Sequence, residues 1–299
     1  MKAVLLKSYG DIDQFIVSDI PVPVPHAGEV LIKIETSAVN PFDLILRQGL
    51  MAQFIPLELP AILGGDAAGT ITEVGAGVIH LNVGDRVVGD FPANGKGAHA
   101  EYGVLPETSV TRLPDNLSFE QGASLVKAGL TGRQTVDALP IKMGDRVLVS
   151  GGLGMVGRVA IQYLREIGAK PVAGVRPERI ESARLLAGEA IDITKMPDKA
   201  GFDFAISTAY SVAKNLISHV RNGGHIASIV QIPDGINNDQ RVFIHELFHQ
   251  TDMDTMNDVL GAASRGELVI PVAKVLGLEE IGEAHRMVEK GVQGKILLK

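Results

Sequence analysis

One stretch of this 299-residue sequence decides its fold, namely Arg146-Val-Leu-Val-Ser150-Gly151-Gly152-Leu-Gly154-Met-Val-Gly157. An apolar run of strand length leads into closely spaced glycines, and apolar residues then recur at helical spacing. In such a strand-turn-helix unit Gly152 permits the tight turn, Gly154 lets the main chain approach a diphosphate, and Gly157 lets the helix pack on its strand. The stretch predicts a dinucleotide-binding loop that includes Met155 and Val156; the alternative is an ordinary glycine turn.

The residue that follows the second strand of this unit indicates which dinucleotide is bound. An NAD-preferring site places a carboxylate there, on the ribose 2'-hydroxyl. In this chain Arg176 follows the predicted strand 171–175, and Arg179 lies within one turn of it. Because a guanidinium matches a 2'-phosphate in charge and in its forked donors, we predict NADP(H) as the cofactor. The alternative is that both arginines are solvated residues at a helix start.

Composition excludes several classes of protein. The chain is 45% hydrophobic, carries a net charge of −7 and contains no cysteine. Without cysteine it can form no disulfide, no thiolate nucleophile and no cysteine-ligated zinc site, and we expect a cytoplasmic protein. The negative charge and the lack of a basic block argue against nucleic acid as a partner. No apolar run reaches the roughly 20 residues of a membrane span, so we expect no membrane partner.

The pattern of apolar runs predicts an α/β chain with two domains. Short apolar runs separated by turn signals predict a mainly β part as far as about residue 120, and strands and helices alternate from residue 146 as in a doubly wound parallel sheet. We place one domain at residues 1–120 and 264–299 and the other at 121–263. The predicted strands are 2–6, 29–36, 69–74, 86–89, 146–150, 171–175, 202–207, 225–230 and 295–298, and the predicted helices are 118–139, 156–167, 178–186, 211–220 and 278–289.

A series of motifs follows the order of a known family along nearly the whole chain. They are Val39-Asn-Pro-Phe-Asp43, Gly64-Gly-Asp66-Ala-Ala-Gly69, Val83-Gly-Asp-Arg-Val87, Gly97-Ala-His-Ala-Glu-Tyr102, Ala128-Gly-Leu-Thr131, the glycine loop, and Glu283-Ala-His285 with Gly294-Lys295. In these motifs the chain resembles the medium-chain dehydrogenase/reductase superfamily, specifically its zinc-independent NADPH:quinone oxidoreductase branch. The resemblance implies a GroES-like, mainly β catalytic domain, a Rossmann cofactor domain, an active site in the cleft between them, and a homodimer.

The resemblance also bears on zinc. In the zinc-dependent branch a Cys, a His-Glu pair and a further Cys or Asp hold the metal, whereas Asn40 and Gly65-Asp66 stand at the first two positions here. We therefore expect no metal site. Without a Lewis acid to stabilise an alkoxide, hydride delivery to an electron-poor quinone or enone is favoured over alcohol oxidation.

Three further residues receive roles from the resemblance. Asn40 resembles the polar residue that this branch places near the nicotinamide or the substrate, where its amide would orient a carbonyl oxygen. Thr131 resembles the threonine beside the cofactor, and Lys295 would reach the cofactor phosphates. The alternatives are a turn residue before Pro41, a helix-cap hydroxyl and a solvated lysine, respectively.

One metal-like motif stands apart from these assignments. His245-Glu-Leu-Phe-His249 matches H-E-x-x-H, whose histidines share one face of a helix in zinc proteases. Asp252 and Thr255 stand where the longer motif has its glycine and its third histidine, although a more distant ligand such as Glu267 remains open. We expect two partly exposed histidines on a helix, without a metal.

Three functions fit the sequence. The first is an NADPH-dependent reductase of quinones or α,β-unsaturated carbonyl compounds. The second is an enoyl-thioester reductase of the same superfamily, which would need a basic patch for a phosphorylated carrier. The third is a protein of the same fold that senses NADPH without turnover.

Overall fold

The chain forms two compact units in the computed structural model, which describes residues 1–196, 201–209, 213–232, 235, 237 and 240–299. One unit contains Met1–Lys127 and Thr251–Lys299, and the other contains Ala128–Gln250. The sequence-based boundaries at 120/121 and 263/264 differ from these because the segment after residue 250 joins the first unit. There the Asn257 side chain accepts a hydrogen bond from the Thr111 hydroxyl at 2.5 Å.

The strands are β1 (Lys2–Leu6), β2 (Phe15–Asp19), β3 (Glu29–Val39), β4 (Asp66–Val74), β5 (Arg86–Asp90), β6 (Tyr102–Pro106), β7 (Val110–Arg112), β8 (Arg146–Ser150), β9 (Lys170–Val175), β10 (Glu189–Asp192), β11 (Phe202–Ser207), β12 (Val220–Ser228), β13 (Phe243–Glu246), β14 (Val272–Leu276) and β15 (Lys295–Leu298). The helices are α1 (Pro41–Arg47), α2 (Phe119–Asp137), α3 (Met155–Glu166), α4 (Ile180–Ala187), α5 (Ala213–Leu216), α6 (Met253–Ser264) and α7 (Ile281–Glu289). Residues 211 and 212 of the predicted helix 211–220 lie outside the described residues.

The second unit is built on a parallel sheet with the strand order β10-β9-β8-β11-β12-β13. Every neighbouring pair in this sheet is parallel. Its strands are apolar because both faces are covered, and Leu148, Val172 and Ile226 are fully buried in its core. Counted from β8, this is the Rossmann order 3-2-1-4-5-6, so the predicted doubly wound fold is confirmed. The order reverses between β8 and β11, the place where such sheets bind ligands.

The first unit is mainly β, and its larger sheet combines strands that follow residue 28 with the two last strands of the chain. The order is β14-β15-β3-β4-β5-β7, β6 also pairs with β3, and β1 and β2 form a separate ribbon. The long strand β3 pairs antiparallel with β15, and Ile296 lies opposite Val39. This register brings the C-terminal strand beside the start of α1, which positions part of the candidate site.

The segment around the H-E-x-x-H motif is not helical, so that prediction was wrong. His245 lies on β13, which pairs with β12, and residues 247–252 have no regular secondary structure. Parallel pairing at the sheet edge satisfies the backbone of Phe243–Glu246, and a helix could not complete this sheet. In an extended chain the two histidines do not share a helix face.

No helix among the described residues combines the length and the apolar character needed to cross a bilayer.

Candidate active site

The glycine loop joins β8 to α3 at the point where the strand order reverses. A Cβ on Gly152 would lie 2.8 Å from the Ala173 Cβ, and one on Gly157 would lie 2.5 Å from the Gly151 carbonyl oxygen. Both positions therefore require glycine for packing inside the protein. Gly154 differs, because it is exposed and its added Cβ would meet only the Gly151 oxygen, at 3.1 Å.

The helix α3 begins after a glycine that provides no side-chain cap. Gly154 is the N-cap residue, and no side chain caps the helix. The first N–H groups of a helix have no intrahelical acceptor, and they point outward at its positive end. Such groups can bind a diphosphate, and the prediction that Gly152, Gly154, Met155, Val156 and Gly157 bind that of a dinucleotide stays a prediction.

A threonine that the sequence analysis missed holds the ends of β8 and β11 together. The Thr208 hydroxyl donates to the Ser150 carbonyl oxygen at 2.6 Å, and the Thr208 N–H donates to the Ser150 hydroxyl at 3.1 Å. Gly151 has a φ of +67°, and a Cβ there would lie 2.5 Å from the Thr208 hydroxyl oxygen. The signal in the sequence was the polar pair Ser207-Thr208 at the end of a predicted strand.

The two arginines predicted to bind the 2'-phosphate of the ribose lie at the start of a short helical turn. Arg176 directly follows β9 and is exposed, whereas Arg179 is half-buried three residues later. Arg176 therefore stands at the carboxyl end of the strand next to β8, where a dinucleotide fold reads the adenosine ribose.

Thr131 lies on α2 and contacts the second histidine of the H-E-x-x-H motif. Its hydroxyl is 3.1 Å from the His249 Nδ1. The first histidine has a different partner, since the His245 Nε2 is 2.9 Å from the His225 Nδ1. Among the described residues no group of three or more His, Cys, Asp or Glu side chains is arranged to hold a metal ion.

A separate polar cluster, made of side chains, lies inside the first unit. Asp66 is fully buried at the start of β4. Its Oδ2 accepts hydrogen bonds from the Asn40 Nδ2 and the Lys295 Nζ, each at 2.9 Å. The Lys295 Nζ also donates to the Asn40 Oδ1 at 2.6 Å. The resemblance implied that Lys295 reaches the cofactor phosphates. In the structure its ammonium instead forms a buried ion pair with Asp66, and the lysine side chain is 2% exposed.

Lys127 and Asp90 complete this buried cluster. Asp66 and Asp90 face each other across β4 and β5, a like-charged pair that is unfavourable without cations. The Lys127 ammonium pairs with the Asp90 Oδ1, and the Lys127 backbone N–H donates to the Asp66 Oδ1 at 3.0 Å. The Thr251 hydroxyl donates to the second Asp90 oxygen at 2.6 Å. Two ammonium groups thus balance two carboxylates.

Asp43 fixes the backbone of Asn40 from below the cluster. Its Oδ2 accepts the Asn40 N–H at 2.7 Å, as in a capping box at the start of α1. Burial raises the pKa of Asp43 to about 7, although the hydrogen bond from Asn40 opposes the shift. Asp43 is therefore partly protonated at neutral pH.

The residues at the metal position of the zinc-dependent branch do not fit a divalent cation. The Asn40 oxygen and the Asp66 carboxylate already accept hydrogen bonds from the Lys295 ammonium. A Cβ on Gly65 would lie 2.5 Å from the Lys127 Cε, so the lysine side chain fills the space that a ligand at this position would need. A cation placed here would face two ammonium groups.

Two family models match this chain, and the first of them confirms the predicted GroES-like fold. Residues 26–115 match the family model of the alcohol dehydrogenase GroES-like domain, and residues 178–298 match that of the zinc-binding dehydrogenases. The quinone oxidoreductase of Homo sapiens is 30% identical over 94% of this chain and 92% of the relative. The NADPH-dependent alkenal/one oxidoreductase of Arabidopsis thaliana is 32% identical over 77% of this chain and 62% of the relative.

Among solved structures, the quinone oxidoreductase from Coxiella burnetii is similar in fold along the full length. It matches with a TM-score of 0.92 at 27% identity and covers 100% of this chain and 99% of that chain. The chain spans between 50% and 65% of the length of the first curated relatives that it matches.

Proposed function

Because this chain belongs to the medium-chain dehydrogenase/reductase superfamily, in its quinone oxidoreductase-like branch, we propose that it transfers a hydride from NADPH to a quinone or an α,β-unsaturated carbonyl compound. One observation carries this proposal: an uncapped helix N-terminus behind a close-packed glycine loop, at the switch point of a six-stranded parallel sheet. The named activities of the human and Arabidopsis relatives support the choice of acceptor.

The cofactor-binding residues are those of the glycine loop and the turn after β9. The N–H groups of Met155 and Val156 bind the diphosphate, Gly154 leaves room for its approach, and Arg176, with Arg179 behind it, binds the 2'-phosphate. When bound, NADPH supplies the hydride. The preference for NADPH over NADH rests on Arg176.

Asn40 orients the carbonyl oxygen of the substrate. Its amide oxygen accepts from the Lys295 ammonium and one amide N–H donates to Asp66, which fixes which way the amide faces. The second amide N–H is left to donate to a substrate oxygen. Asn40 is half-buried, whereas its partners Asp66 and Lys295 are buried, so the amide is more accessible than the charges of these two partners.

Electron-poor acceptors suit this donor set. The cluster offers N–H donors to a carbonyl oxygen, and its cations are bound to carboxylates. Such donors stabilise the negative charge that a quinone or enone oxygen gains on hydride addition. Residence in the cytoplasm and assembly into a homodimer stay predictions.

The test is a titration of the purified protein with NADPH and with NADH, followed by cofactor fluorescence. 1,4-Benzoquinone, an enone and an enoyl thioester are then added separately. We expect NADPH to bind more tightly than NADH and to be oxidised by the quinone or the enone. Tight binding without oxidation would favour the sensing function, and oxidation by the thioester alone would favour the enoyl-thioester reductase. Binding of neither cofactor would overturn the proposal.

A further inference from the structure

Lys127 is the most accessible cation of the buried cluster in the first unit. Its side chain is 25% exposed, compared with 2% for Lys295. Its ammonium donates to the Asp90 Oδ1 and, at 3.2 Å, to the Phe91 carbonyl oxygen. An ammonium has three N–H bonds, so one has no acceptor among the residues that the structure describes.

An ion pair and two further hydrogen bonds hold this lysine in place. Asp90 is 1% exposed, and its other oxygen accepts the Thr251 hydroxyl. The backbone N–H of the same lysine donates to Asp66, the carboxylate that also binds Asn40. Lys127 and Asn40 are therefore both tied to one buried carboxylate, and each has a donor to spare.

The absence of a side chain at position 65 leaves room for the Lys127 side chain. Gly65 lies against the Lys127 side chain, where an added Cβ would be 2.5 Å from Cε and 3.5 Å from Nζ. A side chain at position 65 would force this lysine side chain to move. In the zinc-dependent branch position 65 carries a metal ligand, so here an ammonium stands in the space of that ligand.

From this geometry, and resting on the proposed function, we propose that Lys127 is the catalytic acid, whose ammonium hydrogen-bonds the substrate oxygen and protonates it after hydride transfer. With an enone, the hydride adds to the β-carbon, and the C=C electron pair moves to give an enolate oxygen. One N–H bond of Lys127 breaks and an O–H bond forms, which gives the enol and then the saturated ketone. With a quinone, the same proton converts the hydroquinone anion to the hydroquinone. The neutral amine regains its proton from water.

The other polar groups of the cluster are less suited to this step. Asn40 can donate a hydrogen bond but not a proton at neutral pH, and Lys295 is buried beneath it. Asp43 holds a proton part of the time, but it is 3% exposed and its Oδ2 faces the backbone of Asn40. Lys127 combines a transferable proton with access to solvent for reprotonation.

The test compares four variants with the wild type in enone reduction. Lys127→Met removes the acid, and Lys127→Arg keeps the charge but gives a group that does not release a proton. Because Lys127→Met leaves Asp90 buried without its cation, the double variant Lys127→Met/Asp90→Asn removes both charges. Lys142→Met, at an exposed lysine, is the matched control.

We expect kcat to fall about 100-fold or more in Lys127→Met, in Lys127→Arg and in the double variant. The NADPH Kd should stay within about twofold in all of them. The wild type should show a solvent deuterium isotope effect on kcat that changes in the slow variants. Lys142→Met should behave as the wild type.

Wild-type turnover by Lys127→Arg or by the folded double variant would overturn the role of Lys127 as an acid while leaving the proposed function intact. Failure of the wild type itself to oxidise NADPH with any acceptor would instead overturn the proposed function.

Discussion

The glycine loop and the buried ion cluster build binding sites in opposite ways. The loop is formed by one contiguous stretch, and its chemistry comes from the backbone, because glycines leave the N–H groups of α3 uncovered. The cluster takes its side chains from segments spread over most of the chain, between Asn40 and Lys295, and strand register brings them together. Substitutions that add atoms are therefore expected to damage the loop, whereas substitutions that remove a charge are expected to damage the cluster.

The largest effect is expected from removing a buried charge of the cluster. Lys295→Met leaves Asp66 buried without its cation, which should lower the free energy of unfolding by about 3–5 kcal/mol. Urea denaturation measures this, with Lys290→Met as the control at an exposed lysine. An equal small loss in both variants would mean that the ion pair does not hold the cluster together.

In the second unit, the largest expected effect comes from removing a charge that binds the ligand and does not hold the fold together. Arg176→Gln should lower the affinity for NADPH relative to NADH by about 10- to 100-fold, since a hydrogen bond to a charged group contributes about 1.5–3 kcal/mol. Arg184→Gln, on the following helix, is the control because Arg184 pairs with the exposed Glu181. Both affinities come from fluorescence titration. An unchanged NADPH/NADH ratio would remove Arg176 from the site.

Two alanine substitutions separate packing from ligand approach within the loop. Gly157→Ala places a Cβ 2.5 Å from the Gly151 oxygen and should lower the free energy of unfolding by about 1–3 kcal/mol. Gly154→Ala meets that oxygen at 3.1 Å and should fold nearly as the wild type but bind NADPH at least about tenfold more weakly. Thermal unfolding and titration of both variants check this. The reverse pattern would show that Gly154 serves the fold.

A smaller effect is expected on how the stability of the first unit depends on pH. Burial lowers the pKa of His99 to about 4 and of His285 to about 3, and it raises the pKa of Asp43 to about 7. Between about pH 4 and 6.5 the unfolded chain binds two more protons at the histidines and one fewer at the aspartate, so these groups make stability rise with pH by about 1.4 kcal/mol per pH unit.

Asp43→Asn removes the opposing contribution of the aspartate. The free energy of unfolding of this variant, minus that of the wild type, should therefore increase by about 1.4 kcal/mol per pH unit from about pH 4 to 7. Above pH 7 the difference should stay constant. Urea denaturation over this pH range measures the difference. Parallel stability curves would contradict a raised pKa for Asp43.

The same contrast explains what the sequence could and could not predict. β1, β8, β11 and β15 begin and end where the apolar runs predicted, and the glycine loop has the predicted form, because contiguous residues carry both signals. The environment of Lys295 and the pairing of Lys127 with Asp90 depend on the register of antiparallel strands, which no local pattern encodes. Near His245, sheet pairing outweighed the helical spacing of the motif.

The proposed hydride transfer is tested most directly by following the hydrogen itself. The protein is given an enone and NADPH that carries deuterium at both C4 positions, and the product is examined by mass spectrometry and NMR. We predict a saturated ketone with one deuterium at the β-carbon, and, with unlabelled NADPH in D2O, deuterium at the α-carbon instead. Deuterium at the carbonyl carbon, or a product without deuterium from the cofactor, would contradict this account.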